Sequence, residues 1–126
     1  IFSGVSYSSS FIDSGSNGLF FTSPSASPLP NCTGSSGWFC PPPPPVRLFA
    51  TNTAVSGASI RVDFQIGNAN NLFMTQNKVF VEIGGSFQGA FDWGLPFFFG
   101  RNVYVGFEEF AGKKPSSLGT GPYWAY

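Results

Sequence analysis

The segment with the clearest potential for chemistry runs from Asp13 to Ser16 and reads Asp-Ser-Gly-Ser. Two apolar residues precede it, so a short buried strand is expected to deliver the carboxylate directly into a turn. Gly15 allows the backbone to bend sharply and to bring amide groups close to the Asp13 carboxylate. The hydroxyl groups of Ser14 and Ser16 can donate further hydrogen bonds, and such donors stabilise the ionised form of a carboxylate.

A carboxylate held in this way can activate water if a second carboxylate is brought against it. The pair shares one proton, so one oxygen can take a proton from water while another protonates a carbonyl group. This is peptide hydrolysis by acid–base chemistry, and it requires neither a histidine nor a metal ion. The alternative is structural, because Asp before Ser-Gly also caps bends in which no chemistry occurs.

Composition excludes several other kinds of site. The chain has 126 residues and no His, which excludes a Ser-His-Asp triad, a Cys-His pair and an imidazole metal site. Six Lys and Arg residues balance six Asp and Glu residues, so the net charge is zero and nucleic acid is not an expected partner. The apolar stretches are all shorter than the roughly 20 residues of a transmembrane helix. We expect no cofactor, no metal and no membrane-spanning segment in this chain.

The elements that must position Asp13 are expected to be short strands. The sequence holds 16 Phe, 16 Gly and 11 Pro residues, a mixture of β-formers and turn formers that predicts an all-β fold of one domain, residues 1–126. A short helical turn is expected around Leu72–Met74, and a turn at Gly84-Gly85. The predicted strands are Ile1–Tyr7, Phe11–Ile12, Leu19–Phe21, Val46–Thr53, Ser59–Gly67, Val79–Ile83, Asn102–Glu108 and Pro122–Tyr126.

The segment Ser59–Gly67 has the clearest period of two. Its apolar residues fall on one face and its polar residues on the other, which indicates a sheet with one buried face and one solvated face. Arg61 and Asp63 belong to the polar set and are expected to be solvated rather than catalytic.

Residues 22–45 form an insert rich in Ser, Pro and Gly within this domain. It contains Cys32 and Cys40, and it ends in the five prolines Pro41–Pro45. Two cysteines this close are either a local disulfide or two buried thiols, and without other clustered ligands they make a poor zinc site. The proline run is expected to be a stiff surface spacer.

Four segments together carry a resemblance to a known family. The run from Phe11 to Phe21, FIDSGSNGLFF, resembles the active-site turn of pepsin-like aspartic peptidases. More closely, the chain resembles the C-terminal part of a bacterial family of unknown function with pepsin-like lobes. The four matching segments are Phe11–Phe21, Cys32–Cys40, Asp92–Tyr104 and Gly119–Tyr123.

This resemblance implies a single pepsin-like lobe, a partly closed barrel of short strands with little helix. It implies that Asp13 is the aspartate contributed by this lobe and that Ser14 makes the hydrogen-bonded contact between lobes. Gly15 would supply the turn and its amide, and Ser16 would supply a hydroxyl group to the carboxylate. Phe91–Gly94 would correspond to the strand that passes behind the active-site loop.

The resemblance also implies what the chain needs from outside. A peptidase of this kind uses two aspartates, and this chain has one DSGS segment. The second would come from an upstream N-terminal lobe of the same parent chain or from a homodimer partner, so the chain alone is expected to be inactive towards peptides. The resemblance favours a disulfide between Cys32 and Cys40, and hence an exported protein of the bacterial periplasm, cell surface or extracellular space.

A second reading assigns the chain to a different class of protein. A non-catalytic exported β-module could bind peptide or carbohydrate through an aromatic face, although most aromatic residues in a Phe-rich sheet belong to the core. A binding module would tolerate Asp13→Asn, whereas a peptidase would not. The residues considered for this face are Trp38, Phe39, Trp93, Tyr104, Tyr123 and Trp124.

Overall fold

Strands dominate the regular structure of the chain. The computed structural model describes residues 1–107 and 121–126, of which 33% lie in strands and 8% in helices. This content of strands and helices confirms the all-β class. In chain order the elements are β1 (Phe11–Ile12), β2 (Leu19–Phe21), β3 (Val46–Thr53), β4 (Ser59–Ile66), α1 (Ala69–Phe73), β5 (Gly84–Ser86), β6 (Asp92–Trp93), a 3-10 helix (Leu95–Phe98), β7 (Tyr104–Gly106) and β8 (Tyr123–Ala125).

The largest sheet carries the DSGS turn and has the strand order β1-β6-β2-β5. Strand β6 lies between β1 and β2, parallel to β1 and antiparallel to β2. Strands β3 and β4 form a separate antiparallel pair, as do β7 and β8. The partly closed barrel expected from the resemblance is wrong for the described residues, because these three sheets stay open and no ladder of strands closes on itself.

The hairpin of β3 and β4 confirms the two-faced strand predicted from alternation. Val62 and Ile66 are buried, whereas Arg61 and Asp63 are exposed and form an ion pair at 2.7 Å on the solvated face. Ile60 departs from the pattern, since it lies opposite Asn52 next to the turn of the hairpin and is 48% exposed. Asp63 is therefore a solvated surface carboxylate, as expected.

Aromatic rings fill the core between the hairpin and the four-stranded sheet. The Phe21 ring is fully buried and lies at the centre of this cluster. Its centroid is 4.9 Å from the Phe91 ring in a stacked arrangement and 5.0 Å from the Phe2 ring in an edge contact. The rings of Phe39 and Phe64 lie 5.3 Å and 5.6 Å away. These five Phe rings thus belong to the core of the domain, whereas other Phe residues, such as Phe49, are exposed.

Two of the predicted strands are wrong. The segment from Ile1 to Tyr7 bends instead of extending, because Phe2 pairs with Val5 and the two intervening residues have positive φ angles. The segment Val79–Ile83 is not a strand, and the strand β5 begins at Gly84, where a turn was expected. A Cβ atom at Gly84 would lie 2.8 Å from the carbonyl oxygen of Leu19, so this strand needs glycine in order to approach β2 closely.

The cysteine pair is a disulfide, as the resemblance implied, with its two Cα atoms 4.8 Å apart. The loop between the cysteines packs on the four-stranded sheet, since Phe39 donates its backbone N–H to Gly84 at 3.0 Å. Within the described ranges, no helix is long and apolar enough to span a membrane. The end of the strand predicted at Asn102–Glu108 and the start of the Gly119–Tyr123 segment lie outside the described residues.

Candidate functional site

Asp13 lies directly after β1, at the start of a tight turn. Its backbone N–H donates to the carbonyl oxygen of Trp93 at 3.0 Å, and its carbonyl oxygen accepts the N–H of Ser16 at 3.2 Å. Its carboxylate accepts the N–H of Gly15 through Oδ1 at 2.8 Å and the hydroxyl of Ser16 through Oδ2 at 3.0 Å. The amide and the hydroxyl that were predicted as donors therefore both bind the carboxylate.

The outer side of this turn faces solvent. Ser14 and Gly15 are exposed, whereas Asp13 and Ser16 are half-buried. The two donors to the Asp13 carboxylate in the described residues are Gly15 and Ser16, and the Ser14 hydroxyl group is not among them. An exposed hydroxyl at the tip of the turn is compatible with the contact between lobes that the resemblance assigns to Ser14.

A second carboxylate, Asp92, lies beside the turn, and sequence reasoning did not include it in the site. Strand β6 places Asp92 opposite Phe11 on one side and opposite Phe20 on the other. Asp92 is 5% exposed, and its Oδ1 is buried without a hydrogen-bond partner among the described residues. The sequence did contain a signal for the burial of Asp92. This residue stands between two large aromatic residues on a short apolar strand, and such a strand is expected to enter the core.

The environment of Asp92 favours its neutral form. Burial raises the pKa of this carboxyl group above its ordinary value, because a charge in an apolar surrounding loses its hydration. A hydrogen-bonding interaction with the Ser16 side chain lowers the pKa, and the negative charge of Asp13 raises it. The net effect is a raised pKa, and Ser16 contacts both carboxyl groups.

Gly94 fixes the distance between the DSGS turn and the strand behind it. Leu95 donates its backbone N–H to the carbonyl oxygen of Ser16 at 2.6 Å, which ties the start of the 3-10 helix to the turn. A Cβ atom at Gly94 would overlap the carbonyl oxygen of Gly18 and would lie 2.7 Å from that of Ser16. The segment Phe91–Gly94 thus passes directly behind the turn, and no larger residue fits at its last position without displacing the turn.

The aromatic residues considered as a binding face do not form one surface. Phe39 and Trp93 are buried in the core, at 1% and 2% exposure. Tyr104 and Trp124 are exposed on the pair of strands β7 and β8, at 55% and 46%. Trp124 also lines a cleft of about 730 Å³ between β8, the N-terminal segment and the β3–β4 hairpin. Trp124 is therefore a member of the predicted aromatic face that is exposed at a cleft.

Asp63, the remaining aspartate of the described residues, does not extend the site. Asp63 is paired with Arg61 on the solvated face of the hairpin. Glu108 and Glu109 lie outside the described residues. Within residues 1–107 and 121–126, no three His, Cys, Asp or Glu side chains are grouped in a way that could hold a metal ion. The chemistry available in the described site is therefore that of two carboxyl groups and one hydroxyl group.

Comparison with known proteins gives one match. A family model described as "Protein of unknown function (DUF3443)" matches residues 1–126, the whole length of the chain. No curated protein and no solved structure matches the chain. The pepsin-like relationship stays a prediction that depends on the motifs and on the geometry of the site.

Proposed function

The chain belongs to the DUF3443 family of proteins of unknown function, and we propose that it is an aspartic-peptidase-like lobe that contributes Asp13 to a pair of aspartates. The pair would activate water for the hydrolysis of a peptide bond, most efficiently below neutral pH. The observation that supports this proposal most strongly is the geometry of the turn, in which the Gly15 amide and the Ser16 hydroxyl hold the Asp13 carboxylate at 2.8 Å and 3.0 Å.

The position of the turn also supports the proposal. A carboxylate that activates water must reach solvent and substrate, and Asp13 is half-buried at the edge of an exposed turn. Asp92 is not the second aspartate of the proposed pair, because a carboxyl group on a 5% exposed residue cannot touch a peptide. The second aspartate would therefore come from an upstream lobe of the same parent chain or from a second copy in a homodimer.

In the proposed reaction the two aspartates share one proton. The ionised carboxylate takes a proton from water as the water oxygen attacks the peptide carbonyl carbon, and the protonated carboxyl group donates to the carbonyl oxygen. The Gly15 and Ser16 donors would keep the Asp13 carboxylate in a fixed orientation through this exchange. An exported protein with a Cys32–Cys40 disulfide is a suitable setting for such a peptidase.

Peptide hydrolysis by the longest native form of the protein tests the proposal. Cleavage of a broad peptide library should be measured from about pH 3 to about pH 8, beside the variants Asp13→Asn and Asp63→Asn. We expect cleavage that is lost in Asp13→Asn and kept in Asp63→Asn, since Asp63 lies on the solvated hairpin face. If the folded parent cleaves no peptide at any of these pH values, the enzyme proposal is wrong.

A non-catalytic binding role is the second candidate, and the exposed Trp124 at the cleft of about 730 Å³ favours it. In that case the module would hold a peptide or an oligosaccharide against aromatic rings. Binding to arrays of both ligand classes should then fall in Trp124→Ala and persist in Asp13→Asn. Binding that persists in Trp124→Ala and falls in Asp13→Asn would exclude this role.

A further inference from the structure

The Ser16 hydroxyl group lies between two carboxyl groups and has one proton to donate. Its Oγ donates to Oδ2 of Asp13 at 3.0 Å. The same side chain interacts with the carboxyl group of Asp92, whose Oδ1 has no partner among the described residues. If both carboxyl groups were ionised, they would compete for this single proton, and because Ser16 donates it to Asp13, a charged Asp92 would be buried without it.

A proton on Asp92 resolves this competition. A protonated carboxyl group is a donor, so Asp92 can donate to the Ser16 Oγ while Ser16 donates to Asp13. The buried Oδ1 is then a neutral carbonyl oxygen, which costs far less to leave without a partner than a charged one.

Among residues 1–107 and 121–126, no cation acts on the carboxyl group of Asp92 to oppose this state. Its neighbours in the sheet are β1 and β2, whose sequences Phe-Ile and Leu-Phe-Phe carry no titratable group. In the described residues, the charged group that acts on Asp92 is Asp13, and the effect of its negative charge is to raise the pKa of Asp92 further. Burial of Asp92 and the negative charge of Asp13 both favour the neutral acid, and together they outweigh the opposite effect of a hydrogen bond from Ser16.

We propose that Asp92 is a positioning residue, held as a neutral carboxylic acid that donates to Ser16 and thereby commits the Ser16 hydroxyl group to Asp13. No covalent step is involved, and the proton stays on Asp92 while Asp13 is ionised. The consequence for catalysis rests on the proposed function, but the protonation state of Asp92 does not.

Infrared spectroscopy of the full chain tests the proposal without any assay of activity. At about pH 6, unperturbed carboxyl groups are ionised, so a protonated carboxyl band identifies a buried neutral acid. We expect this band in the native protein and in Asp63→Asn, and we expect it to be absent from Asp92→Asn. The band should shift in Ser16→Ala, because the acid loses its acceptor. Absence of the band from the native protein, or an unchanged band in Ser16→Ala, would overturn the proposal.

The variants Asp92→Asn and Asp92→Leu extend the test to catalysis. Asn is neutral at every pH and keeps an N–H donor for Ser16, so it should preserve kcat, and the loss of activity at high pH that follows ionisation of Asp92 should disappear. Leu removes the donor that fixes the Ser16 hydroxyl group, which can then rotate away from Asp13. We expect kcat to fall about tenfold with KM unchanged, the effect of weakening the hydrogen bond from Ser16 to the charged Asp13 carboxylate. A folded Asp92→Leu protein with native kcat would contradict the positioning role. If the carboxyl band is present and no peptide is cleaved, the protonated Asp92 stands and the peptidase proposal fails.

Discussion

Replacing Phe21 with Ala is a stringent test of the core that supports the DSGS turn. The Phe21 ring is fully buried and contacts four other Phe rings at centroid distances between 4.9 Å and 5.6 Å. Phe-to-Ala substitutions in closed cores cost about 3–5 kcal/mol. We expect about 4 kcal/mol here, because four large rings held by separate segments of the chain cannot collapse into the space left by the fifth.

Urea denaturation followed by circular dichroism measures this loss. With a slope of about 2 kcal/mol per molar urea, a loss of about 4 kcal/mol lowers the midpoint by about 2 M. The slope itself should not change, because the folded state keeps its shape. Since β2 carries Phe21 and pairs with β6, the same variant should also loosen the strand that holds Asp92.

Phe49→Ala is the matched control, since it removes the same ring from the surface. Phe49 is 51% exposed, and its ring contacts the guanidinium group of Arg61 at 3.9 Å. A cation–π contact at an exposed site is worth about 0.5–1 kcal/mol, so the loss should stay near this value. If the two variants lose the same free energy of unfolding, the aromatic cluster around Phe21 is not the core of this domain.

Three further predictions concern the site and its insert. The raised pKa of Asp92 means that the folded state holds this proton more tightly than the unfolded state. The free energy of unfolding should therefore fall as the pH rises from the unfolded-state pKa through the folded-state pKa, and Asp92→Asn should remove this fall in urea titrations at several pH values. Gly94→Ala should cost about 1–3 kcal/mol in the same assay, because its Cβ atom overlaps the turn while its φ of −71° suits any residue. Removing the disulfide by Cys32→Ser with Cys40→Ser should cost about 2.5 kcal/mol, the value for a loop with a sequence separation of 8.

For each of these three predictions, one experimental outcome would contradict the reasoning. Asp92→Asn and native protein with the same pH dependence would mean that Asp92 is not protonated in the folded state. A Gly94→Ala protein of native stability would mean that the turn does not lie against β6. A double Ser variant that unfolds at the native urea midpoint would mean that the insert contributes no stability through its crosslink.

Local features of the site could be predicted from the sequence. The hydrogen bonds from Gly15 and Ser16 to Asp13 span two and three residues, so the DSGS segment alone determines them. The alternation of β4 and the closeness of the two cysteines are local in the same sense. Physical rules that act over a few residues were sufficient for each of these features.

Long-range features could not be predicted in this way. The approach of Asp92 to Ser16 depends on β6 inserting between β1 and β2, and nothing in the sequence near Asp92 specifies those neighbours. Gly84 was predicted to turn because glycine favours turns, whereas its actual role is to let β5 approach Leu19 closely. In both cases the deciding contact joins segments that are distant along the chain.

The strand order β1-β6-β2-β5 has a consequence for the sequence of events in folding. Because β6 separates β1 from β2, these two strands have no hydrogen bonds to each other, although they follow one another closely along the chain. The DSGS turn between them can form its backbone hydrogen bonds with Trp93 and Leu95 only when β6 is in place. Contacts between distant segments form slowly, because the long intervening loop must close first. An ordered Asp13 therefore reports that the chain has folded at least as far as β6, so the site is among the last parts of the four-stranded sheet to be assembled.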